Sequence, residues 1–202
     1  MQLVFASRNP DKIAELRDAL NNLPLEIRSA AEFPGVPEVD ETGTTLEANA
    51  LLKARAVHRA THCLCLADDT GLEVEALGGA PGVHSARFGG REQSYEKNLA
   101  KLLEALRGVP EAQRGARFRT VVATVFPDGA EVVVEGVCAG RILSQRRGSG
   151  GFGYDPVFCF PEAGKTFAEM SLAEKQRISH RGHAMRKARV ILEEWLRTSG
   201  KR

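Results

Sequence analysis

The sequence contains no uninterrupted apolar run approaching the roughly 18–20 residues that a membrane helix requires, so no membrane partner is expected. It has little net charge: 28 lysines and arginines against 26 acids leave a formal +2. Nucleic-acid binding draws much of its strength from neutralised phosphates, and so small a surplus argues against that class of partner. The placement of single cations matters more than their sum. The opening segment "MQLVFASRNPDK" lacks the basic lead and long apolar stretch of a secretion signal, and the cytoplasm is the expected compartment. Cysteine is scarce. Cys63, Cys65, Cys138 and Cys159 lie in apolar runs such as "CLCLA" and "VFCF", and C-x-C is neither a zinc knuckle nor a redox pair. Free buried thiols in a reducing compartment are expected. His58 and His62 stand four apart in "HRATH", but the glutamate of a zinc hydrolase is missing. No repeat, low-complexity tract or linker interrupts residues 1–202, which are expected to form a single domain with room for two lobes.

What is present is a succession of short apolar runs and amphipathic segments. "LVFAS" reads as a strand, and Ile13, Leu16, Ala19 and Leu20 recur at helical spacing after "RNPDK". "PLEIRSA" is a candidate second strand, and the Pro- and Gly-rich "EFPGVPEVDETG" a loop. Thr44 and Glu47 have the spacing of a capping box, which predicts a helix running to about Ala60. "CLCLADDTGLEVEAL" reads as an apolar strand ending in two carboxylates, followed by a glycine-rich loop, "ALGGAPGVHSARFGGREQS", and a helix, "YEKNLAKLLEALRGV". "ARFRTVVATVF" and "EVVVEGVCAGRIL", separated by Asp128-Gly129, predict an antiparallel pair, and "YDPVFCF" a further strand. Ser171 and Glu174 form a second capping box, and Met185, Ala188, Leu192 and Trp195 line one face of a final helix. Strands alternating with helices early and pairing as hairpins later predict an α/β or α+β fold on a mixed sheet.

Gly148, Gly150 and Gly153 in "GSGGFGYDP" match the G-x-G-x-x-G spacing of dinucleotide sites. That fingerprint needs a strand before it and a helix directly after it. Here Pro156 biases Asp155 away from helical geometry and "VFCF" continues as a strand, so no helix terminus is available for a pyrophosphate. The remaining readings are a plain flexible turn and a close-approach loop whose amides reach a ligand, with Phe152 and Tyr154 near a planar base.

Several groups could carry chemistry, each with an ordinary alternative. Asp68 and Asp69 in "ADDTG" could hold a hard cation such as magnesium, or simply cap a turn. Asn49 and Lys53 share a helix face, where Lys53 could meet a phosphate or stand solvated. Glu41 is a further acid near that helix or an unremarkable loop residue. Ser7, Asn9 and Lys12 in "SRNPDK" stand at a helix N-terminus, a setting that favours anions, although the glycines of a P-loop are absent. Lys175, His180 and Arg181 form a basic C-terminal group that could equally be structural or solvated.

The order of these segments is more telling than any one of them. "ASRNPDK", "ETGTTLEANALLKA", "ADDTGLEV", "LGGAPGVHSARF", "GSGGFGYDPVF" and "EKQRISHRGHA" follow one another in a chain that resembles the inosine triphosphate pyrophosphatase family from about residue 3 to residue 195. The resemblance implies an elongated mixed sheet with flanking helices, two lobes around a nucleotide cleft, and a homodimer. It implies Mg²⁺-dependent hydrolysis of ITP, dITP and XTP to the monophosphate and pyrophosphate. Ser7, Arg8, Asn9, Pro10, Asp11 and Lys12 would bind phosphate. Asp69 would act in metal binding and water activation with Glu41 as a second metal ligand and Asp68 as an acidic neighbour. Lys53 would sit at the phosphates and Thr70 would touch substrate. Phe152, Gly153, Tyr154, Asp155, Lys175, His180 and Arg181 would form the nucleoside and base side. Ser7 stands where the family commonly has threonine, Thr70 where it commonly has serine, and Arg8 where it commonly has a small residue.

Magnitudes rank the two halves of such a site. A unit-charge pair near 4 Å is worth about 4 kcal/mol at an effective dielectric near 20, whereas stacking a base on Phe152 or Tyr154 gives roughly 1–3 kcal/mol. Lys12 and Lys53 would thus supply affinity, and donors such as Lys175 and Arg181 would select a 6-keto over a 6-amino purine. A non-catalytic nucleotide sensor would share the same cations without cutting the substrate.

Overall fold

Leu3, Val4 and Phe5 are fully buried in the first strand, β1 (Gln2–Phe5), of the computed structural model, which describes residues 1–90, 92 and 94–199. β1 runs parallel to β2 (Glu26–Ser29) on one side and to β3 (Leu64–Val74) on the other, with Leu3 opposite both Ile27 and Leu64. Parallel neighbours need crossover connections. α1 (Pro10–Ala19) and α2 (Leu46–Thr61) lie on those two crossovers. The sheet continues through β5 (Gly115–Val125), β6 (Glu131–Ile142), β7 (Phe158–Phe160) and β8 (Lys165–Thr166), in the order β2-β1-β3-β5-β6-β7-β8. The two-residue β4 (Pro81–Gly82) pairs antiparallel with β3. β5 and β6 are joined by a tight turn in which the Phe126 N–H donates to the Ala130 carbonyl at 2.9 Å, and so short a connection makes them antiparallel. The expected mixed sheet with flanking helices is what the chain forms.

Chain contacts gather into two units. The first contains Met1–Asp69, Thr120–Gly136 and Arg181–Arg202; the second contains Thr70–Arg119 and Val137–His180. The first has its own core of Leu3, Phe5, Leu16, Leu20, Leu64 and Leu66 against Val122, Phe126, Met185, Ala188 and Leu192. The last three of these belong to the apolar face expected for the closing helix, α5 (His180–Ser199), and Trp195 packs on Phe126 with ring centroids 5.2 Å apart. The second unit packs Leu99 and Leu102 of α3 (Tyr95–Ala105) with Phe118, Phe158 and Phe167. The cysteines are free thiols, Cys63 half-buried and the others buried, and burial pushes Cys65 up to about 11 and Cys138 up to about 12.

Four expectations need correction. α2 is capped by Thr45, whose hydroxyl accepts from the Ala48 N–H at 3.1 Å, and not by Thr44. β3 does not end at its carboxylates: it runs on to Val74, because Leu72 and Glu73 pair with β4 and nearby cations make it unnecessary for Asp68 and Asp69 to reach water. In "YDPVFCF" only Phe158–Phe160 is strand, since residues 153–157 are turn. The stretch 76–94, read as one loop, contains β4 and short 3₁₀ turns (Arg91 and Gln93 lie outside the described residues). The capping box at the start of α4 (Leu172–Ile178) is present, with Ser171 and Glu174 bonded reciprocally.

Candidate active site

Consecutive residues of a strand face opposite ways, and the first unit meets Asp68 and Asp69 with different partners. Asp68, 1% exposed, accepts from Lys12 Nζ at 3.0 Å on Oδ1 and from Arg181 Nε and Nη2, both at 3.1 Å, on Oδ2. Arg181 also donates through Nη1 to Glu15 Oε2 at 2.6 Å. Glu15 lies one helical turn after Lys12 on α1, so one helix supplies both an acid and a cation. Asp69 accepts from Lys53 Nζ at 3.1 Å on Oδ1 and from Asn49 Nδ2 at 3.2 Å on Oδ2. Lys53 reaches Glu41 Oε1 at 2.7 Å as well, and Asn49 Oδ1 accepts from the Gly43 N–H at 2.8 Å.

These neighbours divide the two adjacent aspartates chemically. Burial opposes ionisation of Asp68, but Lys12 and Arg181 outweigh it and hold the carboxyl well below the usual range. Burial also raises Asp69; there Glu41 adds to it, and Lys53 and Lys12 fail to cancel the rise. Lys53 is disfavoured by burial yet held above its ordinary value by Asp69 and Glu41. Lys12 goes the other way, lowered by burial with help from Lys53 and Arg181 against the pull of Asp68. Burial likewise disfavours the Arg181 charge, and Glu15 and Asp68 more than restore it. Asp68 is therefore a fixed anion. Asp69 is the more readily protonated of the two.

Four carboxylates (Glu15, Glu41, Asp68, Asp69) face three cations (Lys12, Lys53, Arg181) in these contacts. Asp69 and Glu41 both meet the Lys53 ammonium. Such a donor set suits a hard cation that takes one or two carboxylates and completes its shell with water and phosphate, as magnesium does. Among the described residues no group of three or more His, Cys, Asp and Glu side chains forms a cage of its own.

The loop before α1 is organised around its cap. Asn9 Oδ1 accepts from the Asp11 and Lys12 N–H groups at 2.9 and 3.4 Å, Ser7 Oγ accepts from the Asn9 N–H at 3.2 Å, and Pro10 opens the helix without an N–H. Two donors that the sequence offered to an anion are thus engaged by the Asn9 side chain, leaving Lys12 as the charge aimed into the cluster. Arg8 is exposed and reaches the Val36 carbonyl at 3.4 Å.

The second unit assembles a different cluster. Lys175 Nζ donates to Asp155 Oδ2 at 2.7 Å, with both side chains almost fully buried, and stands 4.8 Å from the ring centre of Phe152 and 5.7 Å from that of Phe167. Asp155 Oδ2 also accepts from the Phe152 N–H at 2.9 Å. His180 is stacked on Phe118, with centroids 4.4 Å apart. Tyr154, expected as a stacking surface, instead lies in the core with its hydroxyl donating to the Ser85 carbonyl at 2.8 Å. Half-buried Phe152 is the more open aromatic. Thr70 is half-buried in β3 directly after Asp69. Arg181, expected on the base side, is placed by its bonds to Asp68 and Glu15 in the first unit's cluster.

The glycines have a structural task that the sequence left open. A Cβ on Gly148 would lie 2.5 Å from the Ala168 backbone, and the Gly150 N–H donates to the Ala168 carbonyl at 3.0 Å. Close approach there is to the chain itself. Gly153, at φ 64°, has open space where a Cβ would be and needs glycine for its backbone alone.

Sequence reasoning missed Glu15 and Gly43 and left Asn49 without a role. The four-residue spacing of Asn49 and Lys53 was the available signal; the partner of Glu15 lies 166 positions away and no local pattern announces it.

The model of the Ham1 family matches residues 3–191. A dITP/XTP pyrophosphatase of Desulforamulus reducens is 50% identical over 192 residues, 95% of this chain and 96% of that protein. The dITP/XTP pyrophosphatase of Bacillus cereus is 45% identical over 196 residues, 96% of each chain. Among solved structures, a Ham1 protein from Coxiella burnetii superposes with a TM-score of 0.87 at 39% identity, covering 96% of this chain and 99% of that one.

Proposed function

The chain belongs to the Ham1 family, and from that premise we propose that it hydrolyses dITP, XTP and ITP to the nucleoside monophosphate and pyrophosphate. The observation that carries the reading is Lys53, whose ammonium joins Asp69 at 3.1 Å and Glu41 at 2.7 Å. A lysine held between two acids can turn to an arriving phosphate, and doing so uncovers the carboxylate that must work. Asp69 then accepts a proton from the attacking water. The water oxygen forms its bond to the α-phosphorus, the bridging bond to the β-phosphate breaks, and pyrophosphate leaves with its charge met by Lys53 and Lys12. Asp68, pinned ionised by Lys12 and Arg181, keeps those cations in place.

Magnesium is proposed as the cofactor, held by Asp69 and Glu41; when bound it supplies charge neutralisation for the phosphates and lowers the pKa of water. The base is assigned to the second unit's cluster. There Phe152 offers a stacking surface, and Lys175, a donor fixed by Asp155, favours the 6-keto acceptor of hypoxanthine or xanthine over the 6-amino group of adenine. A homodimer and a cytoplasmic location are proposed with this reading. Among the described residues no helix is long and apolar enough to cross a membrane.

The deciding experiment measures turnover of dITP, XTP, GTP and ATP with magnesium and identifies the released phosphate. Preference for dITP and XTP with pyrophosphate as product is expected. Equal rates on all four, or orthophosphate as product, would overturn the proposal; binding without turnover would convert it into a sensor.

A further inference from the structure

Asn49 is the least exposed polar residue of the first unit's cluster, at 0%, and it is not one of the charged groups assigned above. Its amide works at both ends. Nδ2 donates to Asp69 Oδ2 at 3.2 Å, and Oδ1 accepts from the Gly43 N–H at 2.8 Å. Gly43 follows Glu41 closely in the chain, and Glu41 returns to Asp69 through Lys53. The contacts close a ring: Asp69, Lys53, Glu41, the backbone to Gly43, Asn49, and back to Asp69. Asn49 and Lys53 lie four apart on α2, so one helix face holds both a strand acid and a loop acid.

We propose that Asn49 is a positioning residue that fixes the spacing and orientation of the Asp69 and Glu41 carboxylates, acting through its bonds to Asp69 and to the Gly43 amide. The two links of the ring differ in what they do during a reaction. Lys53 is charged, and a triphosphate competes for it. Asn49 is neutral and buried, so nothing in the substrate draws it away. When Lys53 turns toward phosphate, Asn49 is the link that still joins the loop to the strand.

Gly43 carries independent support. A Cβ built there would lie 2.6 Å from Asn49 Oδ1 and 2.8 Å from the Ala48 Cβ. Any side chain at 43 would push the loop off the asparagine, so this position has to be glycine for the bond to form. An amide can serve both ends, since it donates to a carboxylate and accepts from a backbone N–H. Aspartate could accept from Gly43 but would set oxygen against oxygen at Asp69. Leucine could do neither.

The inference rests on the proposed activity for its kinetic arm only, and its second arm needs no substrate. In the first, Asn49→Ala and Asn49→Asp are each expected to lower kcat for dITP about 10–100-fold, the usual scale for residues that orient a metal-binding or reacting group, with KM within about threefold. In the second, amide exchange at Gly43 is followed by NMR without nucleotide or metal. Asn49→Ala should accelerate it, whereas Asn49→Asp, which keeps the acceptor, should leave it protected. Gly43→Ala approaches from the other side and should reproduce the kcat loss, adding little to Asn49→Ala when the two are combined. Unchanged Gly43 exchange in Asn49→Ala, or fully additive losses in the double variant, would overturn the inference. If the wild-type protein cut no dITP, the functional proposal would fail and the exchange result would still decide whether Asn49 holds the loop.

Discussion

Lys53 and Lys175 both pair with an aspartate, yet their surroundings give them opposite characters. Lys53 is shared by Asp69 and Glu41, in a cluster where acids outnumber cations and part of the surface meets water. Lys175 has Asp155 at 2.7 Å, and aromatic rings of Phe152 and Phe167 lie within 6 Å of its ammonium. In the first arrangement the contacts bring together more carboxylates than cations, an imbalance that an arriving cation would offset. The second is nearly self-neutral and set in an apolar frame, which suits recognition of a flat ligand by shape and a few donors. The same two residue types are thus proposed for chemistry in one unit and for selection in the other. Excess charge in the first and aromatic packing in the second make the difference.

The most severe way to break this contrast is to remove the poised acid. Asp69→Asn keeps the shape and the bond from Asn49 but takes away the proton acceptor. General-base catalysis contributes typically 10²–10⁴-fold, so kcat for dITP should fall by about that factor while substrate binding, read by equilibrium titration, persists. Wild-type turnover at saturating substrate would remove Asp69 from the mechanism. The neighbouring substitution, Asp68→Asn, should act on the fold instead. It leaves Lys12 and Arg181 without their shared anion, and breaking a buried pair in this way destabilises by roughly 3–5 kcal/mol.

The sign of the pH dependence follows from the depressed value of Asp68. A carboxyl whose folded value lies below its unfolded value, about 3.9, contributes stability that is fully present above that unfolded value. The contribution is lost as pH falls through the lower, folded value. Thermal unfolding followed from pH 7 into the acid range should therefore show wild type losing stability below about pH 4. Asp68→Asn should start lower and show a shallower acid slope. Parallel slopes for the two proteins would mean that Asp68 is not the buried anion of the first unit.

How much of this was legible in the sequence depends on how far apart the partners lie. Asn49, Lys53 and the acids of "ADDTG" could be singled out because helix spacing and a run of charged residues in an apolar strand are local signals. The position of Asp68 and Asp69 within β3 could not, because a pair of carboxylates looks like a strand end until Lys12, Lys53 and Arg181 are known to meet them. Tyr154 illustrates the same limit from the other side. Its neighbours suggested a base-stacking ring, but its hydroxyl finds the Ser85 carbonyl 69 positions away and the ring completes a core. Glycine spacing misled least once the following proline was weighed, although the backbone of Ala168 beside Gly148, and its φ of 79°, explain why that residue must be glycine.

The mildest test addresses the second unit. Phe152 is half-buried, its N–H is fixed by Asp155, and one region of its ring is already covered by the Lys175 ammonium. Phe152→Ala removes the stacking surface while leaving the Lys175–Asp155 pair and its charge balance intact. Stacking on an aromatic side chain is worth roughly 1–3 kcal/mol, so KM for dITP should rise by about ten- to a hundredfold with kcat close to wild type. The loss should be similar for dITP and XTP, since every purine presents a flat face, and the preference over ATP should survive because it is assigned to Lys175. A drop in kcat with KM unchanged would place Phe152 among the groups that act on the reacting phosphate and would erase the division of labour between the two clusters. Loss of discrimination against ATP would show that the ring, and not the lysine donor beside it, carries selection.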